Sequence, residues 1–290
     1  MRWTLLTLLA LVPFTAMADD YTQQILTWRE KRLANLKKPD GWLTLAGLFW
    51  LESGPNCFGS APDNNLRFPQ GPEHLGQLDW DPQKRRLHLF SEPGIVVAGQ
   101  RQHEMEIDPD EPEATTLMTW DSLSWYIIRR DGRLGVRLKD SQSPTLKSFQ
   151  GLDYFPIDPQ WRIQGRFEAY ASPKELRQSS IVPGLDEVSR SPGELVFNLG
   201  ERSYRLEAQA DGAEEPFFVV FGDRSNGHGS YGGGRFLVVE RPDSQGRIWL
   251  DFNRAYNPPC IFTPYATCPL PSRRNRLDFE VTAGEKFAGH

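Results

Sequence analysis

Glycine and proline recur along this chain from end to end, 25 of the first and 23 of the second among 290 residues. Glycine disfavours helix through its conformational entropy, and proline through its missing amide donor. Together they leave room for one convincing helix, over residues 20–38. Beyond it lie short apolar or alternating runs between turn formers, and 12% of all residues are aromatic. That pattern predicts a mainly β protein: an antiparallel β-sandwich or barrel-like body carrying one N-terminal packing helix.

On a 3.6-residue wheel Ile25, Leu26, Leu33 and Leu36 fall in one arc, with Tyr21 and Trp28 at its edge and Arg29 and Arg32 interrupting it. Pro39, Asp40 and Gly41 end the helix. WLTLAGLFWL, residues 42–51, reads as a buried strand or pair of strands. Leu66–Phe68, Arg86–Phe90, Ile95–Ala98, His103–Ile107 and Thr115–Trp120 follow at the spacing of an all-β domain. Asp131 and Gly132, which tolerate positive φ, predict a tight hairpin between Ser124–Arg130 and Arg133–Lys139. Further strands are expected at Trp161–Ala171 and at Glu194–Leu199 and Ser203–Ala208, the last two pairing around Gly200 and Glu201. FFVVFG, residues 217–222, is apolar throughout and predicts a central strand with Arg235–Glu240 and Arg247–Phe252 as neighbours. Arg276–Thr282 is expected to be the last strand. SPKELRQSSIVPG marks a soft boundary near 172–192, in what otherwise reads as one β-rich domain over 19–290.

Arg2, the apolar run Leu5–Phe14 and then Ala16, Met17 and Ala18 predict a signal peptide, residues 1–18, cut after Ala18. The run is shorter than the roughly 20 apolar residues that span a bilayer. The expectation is therefore a periplasmic or secreted protein with no membrane span after cleavage. A formal charge of −5, with isolated basic pairs at Arg85/Arg86, Arg129/Arg130 and Arg273/Arg274, argues against nucleic acid as a partner. Oligomeric state leaves no trace in the sequence.

Export changes how the cysteines read. Cys57, Cys260 and Cys268 are an odd set, and in an oxidising compartment Cys260 and Cys268, both in a Pro-rich loop, are expected to form a disulfide. Cys57 is left as a small buried hydrophobe. No CxxC pair or neighbouring histidine suggests a metal site, and no cofactor is expected.

Two loops carry the candidate chemistry. GDRSNGHGSYGGG, residues 222–234, lacks the pattern and the following helix of a phosphate-binding loop, and Asp223 with Asn226 supplies too few oxygens for calcium. DFNRAYNPPCIFTPYATCPLPSRRNR, residues 251–276, sets polar side chains among prolines. The first expectation is a pocket formed by the 222–234 and 251–268 loops. There Asp223, Asn226, Tyr231, Arg235, Asp251, Asn253, Tyr256 and Asn257 would bind a small polar or envelope-derived ligand. Arg276 and Lys286 are further cations for an anionic group, and Glu285 is a further carboxylate. A second reading is a hydrolase using Asp251, Tyr256 or Cys260 in the same place, with His228 as a base for Cys260. A third is a structural or interaction domain, in which Asp and Asn satisfy backbone groups in turns.

GWLTLAGLFWLESGPNCFGSAPDNNLRFP, GLDYFPIDPQWR, SYGGGRFL, DFNRAYNPPCIFTPYATCPLP and NRLDFEVTAGEK together resemble the domain of unknown function 1684 family of prokaryotic proteins, over nearly the whole mature chain. The resemblance implies relatives and no particular chemistry. FGSAPDNNLRFP, followed by Arg86–Phe90 and IVVAGQ, is similar to the strand and loop order of forkhead-associated β-sandwich domains. Those domains read phosphothreonine with an arginine after the first glycine and a later Ser-x-x-His. Here Ser60 follows Gly59 and no such pair follows, so phosphopeptide reading is not implied.

Overall fold

The structure, a computed structural model, describes residues 14–287, with side chains described from Asp19 onward. The expected signal peptide and its cut after Ala18 fall on residues 1–18, of which 1–13 lie outside the described residues. No helix among the described residues is long and apolar enough to cross a membrane.

The protein is mainly β, with a barrel-like sheet and one long N-terminal helix. The helix, α1, spans Phe14–Leu36. Nine strands follow: β1 (Leu45–Trp50), β2 (Gly54–Gly59), β3 (Leu66–Arg67), β4 (Gly76–Asp81), β5 (Arg86–Val97), β6 (Gln100–Ile107), β7 (Met118–Trp120), β8 (Leu123–Arg130) and β9 (Arg133–Asp140). They form one sheet in the order β1-β9-β8-β7-β5-β4-β2-β3, with β6 on β5, antiparallel except at β2–β3. The Asp131–Gly132 turn is present, with φ of 47° and 74°, and it fixes the β8–β9 register, Tyr126 opposite Arg137 and Trp125 opposite Leu138. Because strand side chains alternate, Trp125, Ile127, Val136 and Leu138 enter the first core while Tyr126, Arg137 and Lys139 take the other face. Phe58, Phe68 and Trp125 interlock at the centre of that core with ring centroids 5.4–5.7 Å apart. Truncating Trp125 there would cost about 3–5 kcal/mol.

After a one-turn helix, α2 (Pro144–Ser148), come β10 (Arg162–Ser179), β11 (Asp186–Leu199), β12 (Arg202–Ala208), β13 (Phe217–Phe221), β14 (Arg235–Val239) and β15 (Arg247–Asp251). A four-stranded sheet, β12-β11-β10-β15, is covered by the β13–β14 ribbon. The run FFVVF is apolar on both sides because its alternate residues serve two cores. Phe217, Val219 and Phe221 pack on the four-stranded sheet, while Phe218 and Val220 meet Leu45, Phe236, Ala266 and Cys268 on the other side.

Several expectations are corrected. The buried face of α1 is made of Tyr21, Ile25 and Leu36, while Leu26 is exposed; Arg29 and Arg32 belong to this face because each has a polar partner in the body. β10 and β11 pair from Gly165–Phe197 out to Ser179–Asp186 with a bulge between Ala169 and Lys174. β15 pairs with β10 and not with the β13–β14 ribbon. Residues 276–282 make no strand: Leu277 donates to the Gly222 carbonyl, and the Val281 amide goes to the Asp223 carboxylate. Cys57 is half-buried on β2, its thiol 3.9 Å from the Gln77 side-chain oxygen.

Candidate functional site

The polar residues singled out in the sequence fall into three networks. In the first, Asp251 at the end of β15 accepts from the Tyr21 hydroxyl of α1 at 2.8 Å and from the Asn253 amide at 3.2 Å. The Asn253 side chain, fully buried, donates to Tyr21 and to the Asp158 carbonyl and accepts from the Asp158 amide. Burial, and then the Asp251 charge, push the Tyr21 phenol well above the ordinary tyrosine range. In the second, Glu285 has no solvent exposure and accepts from the Asn257 amide at 2.8 Å and from Arg32 at 2.9 Å. Arg32 also donates to the Asn257 carbonyl and lies 4.7 Å over the Tyr256 ring, whose phenol burial raises to about 12.

The third network is built on Arg235. One guanidinium nitrogen reaches Asp223 at 2.8 Å and the Val281 carbonyl, and another reaches the carbonyls of Ala283 and Glu285. Asn226 accepts from the Asp223 amide and donates to Ser230. Arg235 thus gathers the irregular segment 281–285 onto β14. His228 lies outside on an exposed loop, 3.3 Å from Glu280. Asp223 and Asp251 share no hydrogen-bond partner. The two loops meet instead at Tyr231 and Cys260. Arg276 and Lys286 are exposed and join none of the three networks through their side chains.

Cys260 and Cys268 are both free, which corrects the expected bridge. The Cys260 amide donates to the Cys268 sulfur at 3.3 Å, and the Cys260 thiol donates to the Tyr231 hydroxyl at 3.6 Å. Contact with Cys268 lowers the Cys260 thiol pKa against the opposing effect of burial, and Tyr231 lowers it further. The same contact, together with burial, pushes the Cys268 thiol far up.

Three hollows lie elsewhere, around α1. A cleft of about 390 Å³ runs between the C-terminal end of α1 and the outer face of β8–β9. Arg32 and Lys38 stand on one side, Lys139 and Tyr126 on the other, with Asp40, Gly41 and Trp42 across the end. The close turn at Gly41, where a Cβ would lie 2.6 Å from the Leu36 carbonyl oxygen, brings Trp42 back to the cleft. Lys139 donates to the Asp40 carbonyl at 2.6 Å and lies 5.5 Å from the Tyr126 ring centroid. Burial holds its ammonium pKa below the usual lysine range, Asp40 opposes this, and nearby Arg137 adds to it. Arg137, cross-strand from Tyr126, is 3% exposed and 5.8 Å from the Trp42 ring. Among the described residues its Nε has no hydrogen-bond partner and its nearest carboxylate, Glu113, is 3.8 Å away, while one nitrogen donates to the Thr267 hydroxyl.

Two other hollows flank the helix. One, of about 330 Å³, carries mixed charge from Asp20, Lys31 and Arg254. The other, of about 360 Å³, is lined by Leu26, Arg29, Leu33, Leu152 and Tyr154. Of these three hollows, the cleft at Lys139 is the one that combines an excess of cations with two aromatic rings. Sequence reasoning missed it because Arg32, Lys38, Trp42, Tyr126 and Lys139 come from a helix end, a turn and two strands. The readable signal was the alternation in RLGVRLKD, which sets Arg137 and Lys139 on one face. Among the described residues no group of three or more His, Cys, Asp or Glu is placed to hold a metal ion.

Residues 147–286 match the family described as "Protein of unknown function (DUF1684)". Among solved structures, the solution NMR structure of the uncharacterized protein from gene locus rrnAC0354 of Haloarcula marismortui is 35% identical, covering 49% of this chain and 78% of that one, with a TM-score of 0.41. The comparison with curated proteins gave no match.

Proposed function

The chain belongs to the DUF1684 family, and from that premise we propose that it is an exported binding protein for a small organic anion carrying an apolar or aromatic portion. The cleft between α1 and β8–β9 is the binding site in this reading. The observation that carries it is Arg137, a guanidinium 3% exposed with its nearest carboxylate at 3.8 Å, which lies 5.8 Å from the Trp42 ring of a cleft that Arg32, Lys38 and Lys139 also line. An under-paired buried cation is costly to the fold, and an anion in the cleft would offset that cost. Trp42 and Tyr126 supply flat apolar surface for the remainder of the ligand. The volume, about 390 Å³, suits a small metabolite or an envelope fragment.

Tyr256 and Asn257 hold Arg32 at the wall of the cleft, while Asp223, Asn226, Arg235, Asp251 and Asn253 tie elements together. For a hydrolase, no base stands beside Cys260 among the described residues, where its polar neighbours are Tyr231 and Cys268, and Asp251 is engaged by Tyr21.

Thermal-shift screening against aliphatic and aromatic carboxylates, sugar acids and phosphate esters tests the reading. Hits should be anions, and Lys139→Met and Lys38→Ala should each weaken them by about tenfold, the loss of one charge-assisted contact. Neutral hits, or anionic hits untouched by both substitutions, move the site elsewhere. A screen with no hits favours the structural reading.

A further inference from the structure

The two cysteines between the ribbon and the barrel-like sheet differ in a way that matters chemically. Cys268 is 4% exposed within the apolar cluster of Leu45, Val220, Phe236 and Ala266. Cys260 borders the same cluster but is only partly buried, at a 3-10 turn spanning Pro259–Ile261. Their contact runs through the Cys260 amide and the Cys268 sulfur at 3.3 Å. Tyr231, held edge-on against Phe287 with ring centroids 5.4 Å apart, places its hydroxyl 3.6 Å from the Cys260 sulfur. Cys260 is therefore the more exposed of the two and has a hydroxyl beside its thiol, while Cys268 is buried with its sulfur against the Cys260 amide. Cys57 lies on β2 with a Gln77 side chain as its partner, which makes it an internal control.

We propose that Cys260 and Cys268 form a redox-active dithiol that exchanges with an organic disulfide, Cys260 as the attacking thiol and Cys268 as the resolving one. Cys260 loses its proton, and its thiolate attacks one sulfur of the disulfide RSSR. The S–S bond breaks, the first RS⁻ leaves and takes up the proton, and a mixed disulfide remains on Cys260. Cys268 then loses its proton and attacks the Cys260 sulfur, expelling the second RS⁻, which is protonated in turn. Two protein thiols are oxidised to one disulfide while RSSR is reduced to two RSH, and excess thiol reverses the sequence.

The geometry accounts for the division of labour. The Tyr231 hydroxyl, which accepts from the Cys260 thiol, can turn to donate to the thiolate and stabilise it. The lowered Cys260 and raised Cys268 thiol pKa values agree with this order of attack. Shelter of Cys268 keeps it from being modified first, and its sulfur already lies against the Cys260 amide, so that closing the pair needs only side-chain rotation and a small shift of the 3-10 turn. The proposal is independent of what occupies the cleft at Lys139.

The test uses the full chain, reduced and freed of reductant, then equilibrated in glutathione buffers of rising disulfide fraction, acid-quenched, alkylated and mapped by mass spectrometry. Cys260 and Cys268 should lose alkylation together, with the chain lighter by about two mass units, while Cys57 stays alkylated. In Cys268→Ser the reaction should stop at a glutathione adduct on Cys260, formed about tenfold faster than any adduct on Cys57. Tyr231→Phe should slow the first step severalfold, and circular dichroism of each variant checks that it is folded. Alkylation of both residues across the whole buffer range overturns the proposal. So does pairing through Cys57, or a bond that glutathione cannot reopen, which would make the pair a fixed clamp. The wild-type measurement stands even where a variant does not fold.

Discussion

Arg235 and Asp223 face each other at 2.8 Å with neither side chain exposed to solvent. Burial pulls the guanidinium pKa down and the Asp223 carboxylate holds it up. The remaining guanidinium contacts go to carbonyls of Val281, Ala283 and Glu285, so this pair stands where a last strand would have been. Arg235→Met should destabilise the protein by about 3–5 kcal/mol, since it strands a buried carboxylate. Asp223→Asn should cost less, because the carbonyls keep the cation partly satisfied. Urea unfolding at neutral pH measures both, and equal losses would mean that Asp223 and not the carbonyls dominates the site.

Arg32 and Glu285 form the corresponding tie between α1 and the C-terminal segment. Arg32→Ala should cost about 3 kcal/mol, because Glu285 is left buried with only the Asn257 amide. Adding Glu285→Gln should recover part of that loss, giving a coupling of at least about 1 kcal/mol in a double-mutant cycle. Additive effects would show that the ion pair is incidental to helix docking.

Tyr21 makes the helix sensitive to alkali. Its folded-state pKa is raised, first by burial and then by Asp251, so the neutral phenol is favoured by folding. The stability it contributes is complete below the ordinary tyrosine pKa near 10 and is lost as pH rises above it. The phenols of Tyr154, Tyr231 and Tyr256 shift in the same direction, each chiefly by burial. Ultraviolet titration should therefore show these four tyrosines ionising above the ordinary phenol range, as the chain unfolds. Tyr21→Phe should cost about 1–3 kcal/mol at pH 7 by leaving Asp251 and Asn253 short of a partner, and this deficit should shrink above pH 10. A deficit constant with pH would remove the phenol from the alkaline transition.

The β architecture was legible because its signals are local. Asp131–Gly132 needs only its own φ preference, and the strands of the first sheet announce themselves by alternation and turn spacing. FFVVF also read correctly as buried, although periodicity could not say that it separates two cores. Arg29 and Arg32 were read as breaks in an apolar arc, and nothing within the helix reveals that Phe155 and Glu285, more than a hundred residues away, receive them. Asp251, Asn253, Asn257 and Asp223 were rightly noticed as a concentration of polar side chains. Whether such residues face ligand or backbone depends on partners distant in sequence, and here those partners are protein groups. The cleft escaped for the same reason, since its three lining cations stand singly on a helix, a turn and a strand. Cysteine pairing was read from compartment and spacing, which do not determine sulfur position.

Lys139 links the cleft to stability. Its folded-state pKa is lowered by burial, so folding disfavours the charged amine. That penalty is complete below the folded-state pKa and disappears as pH rises to the unfolded lysine value near 10.4. Lys139→Met should therefore stabilise the ligand-free protein at pH 7, by less than about 1 kcal/mol because the ammonium keeps solvent contact. The gain should fade as the pH approaches 10.5, and the same substitution should weaken anion binding. Urea curves at pH 7 and pH 10, run with and without the strongest anionic hit, separate the two effects. A destabilised variant would make Lys139 a structural partner of Asp40, and a stabilised variant that binds undiminished would detach the lysine from recognition.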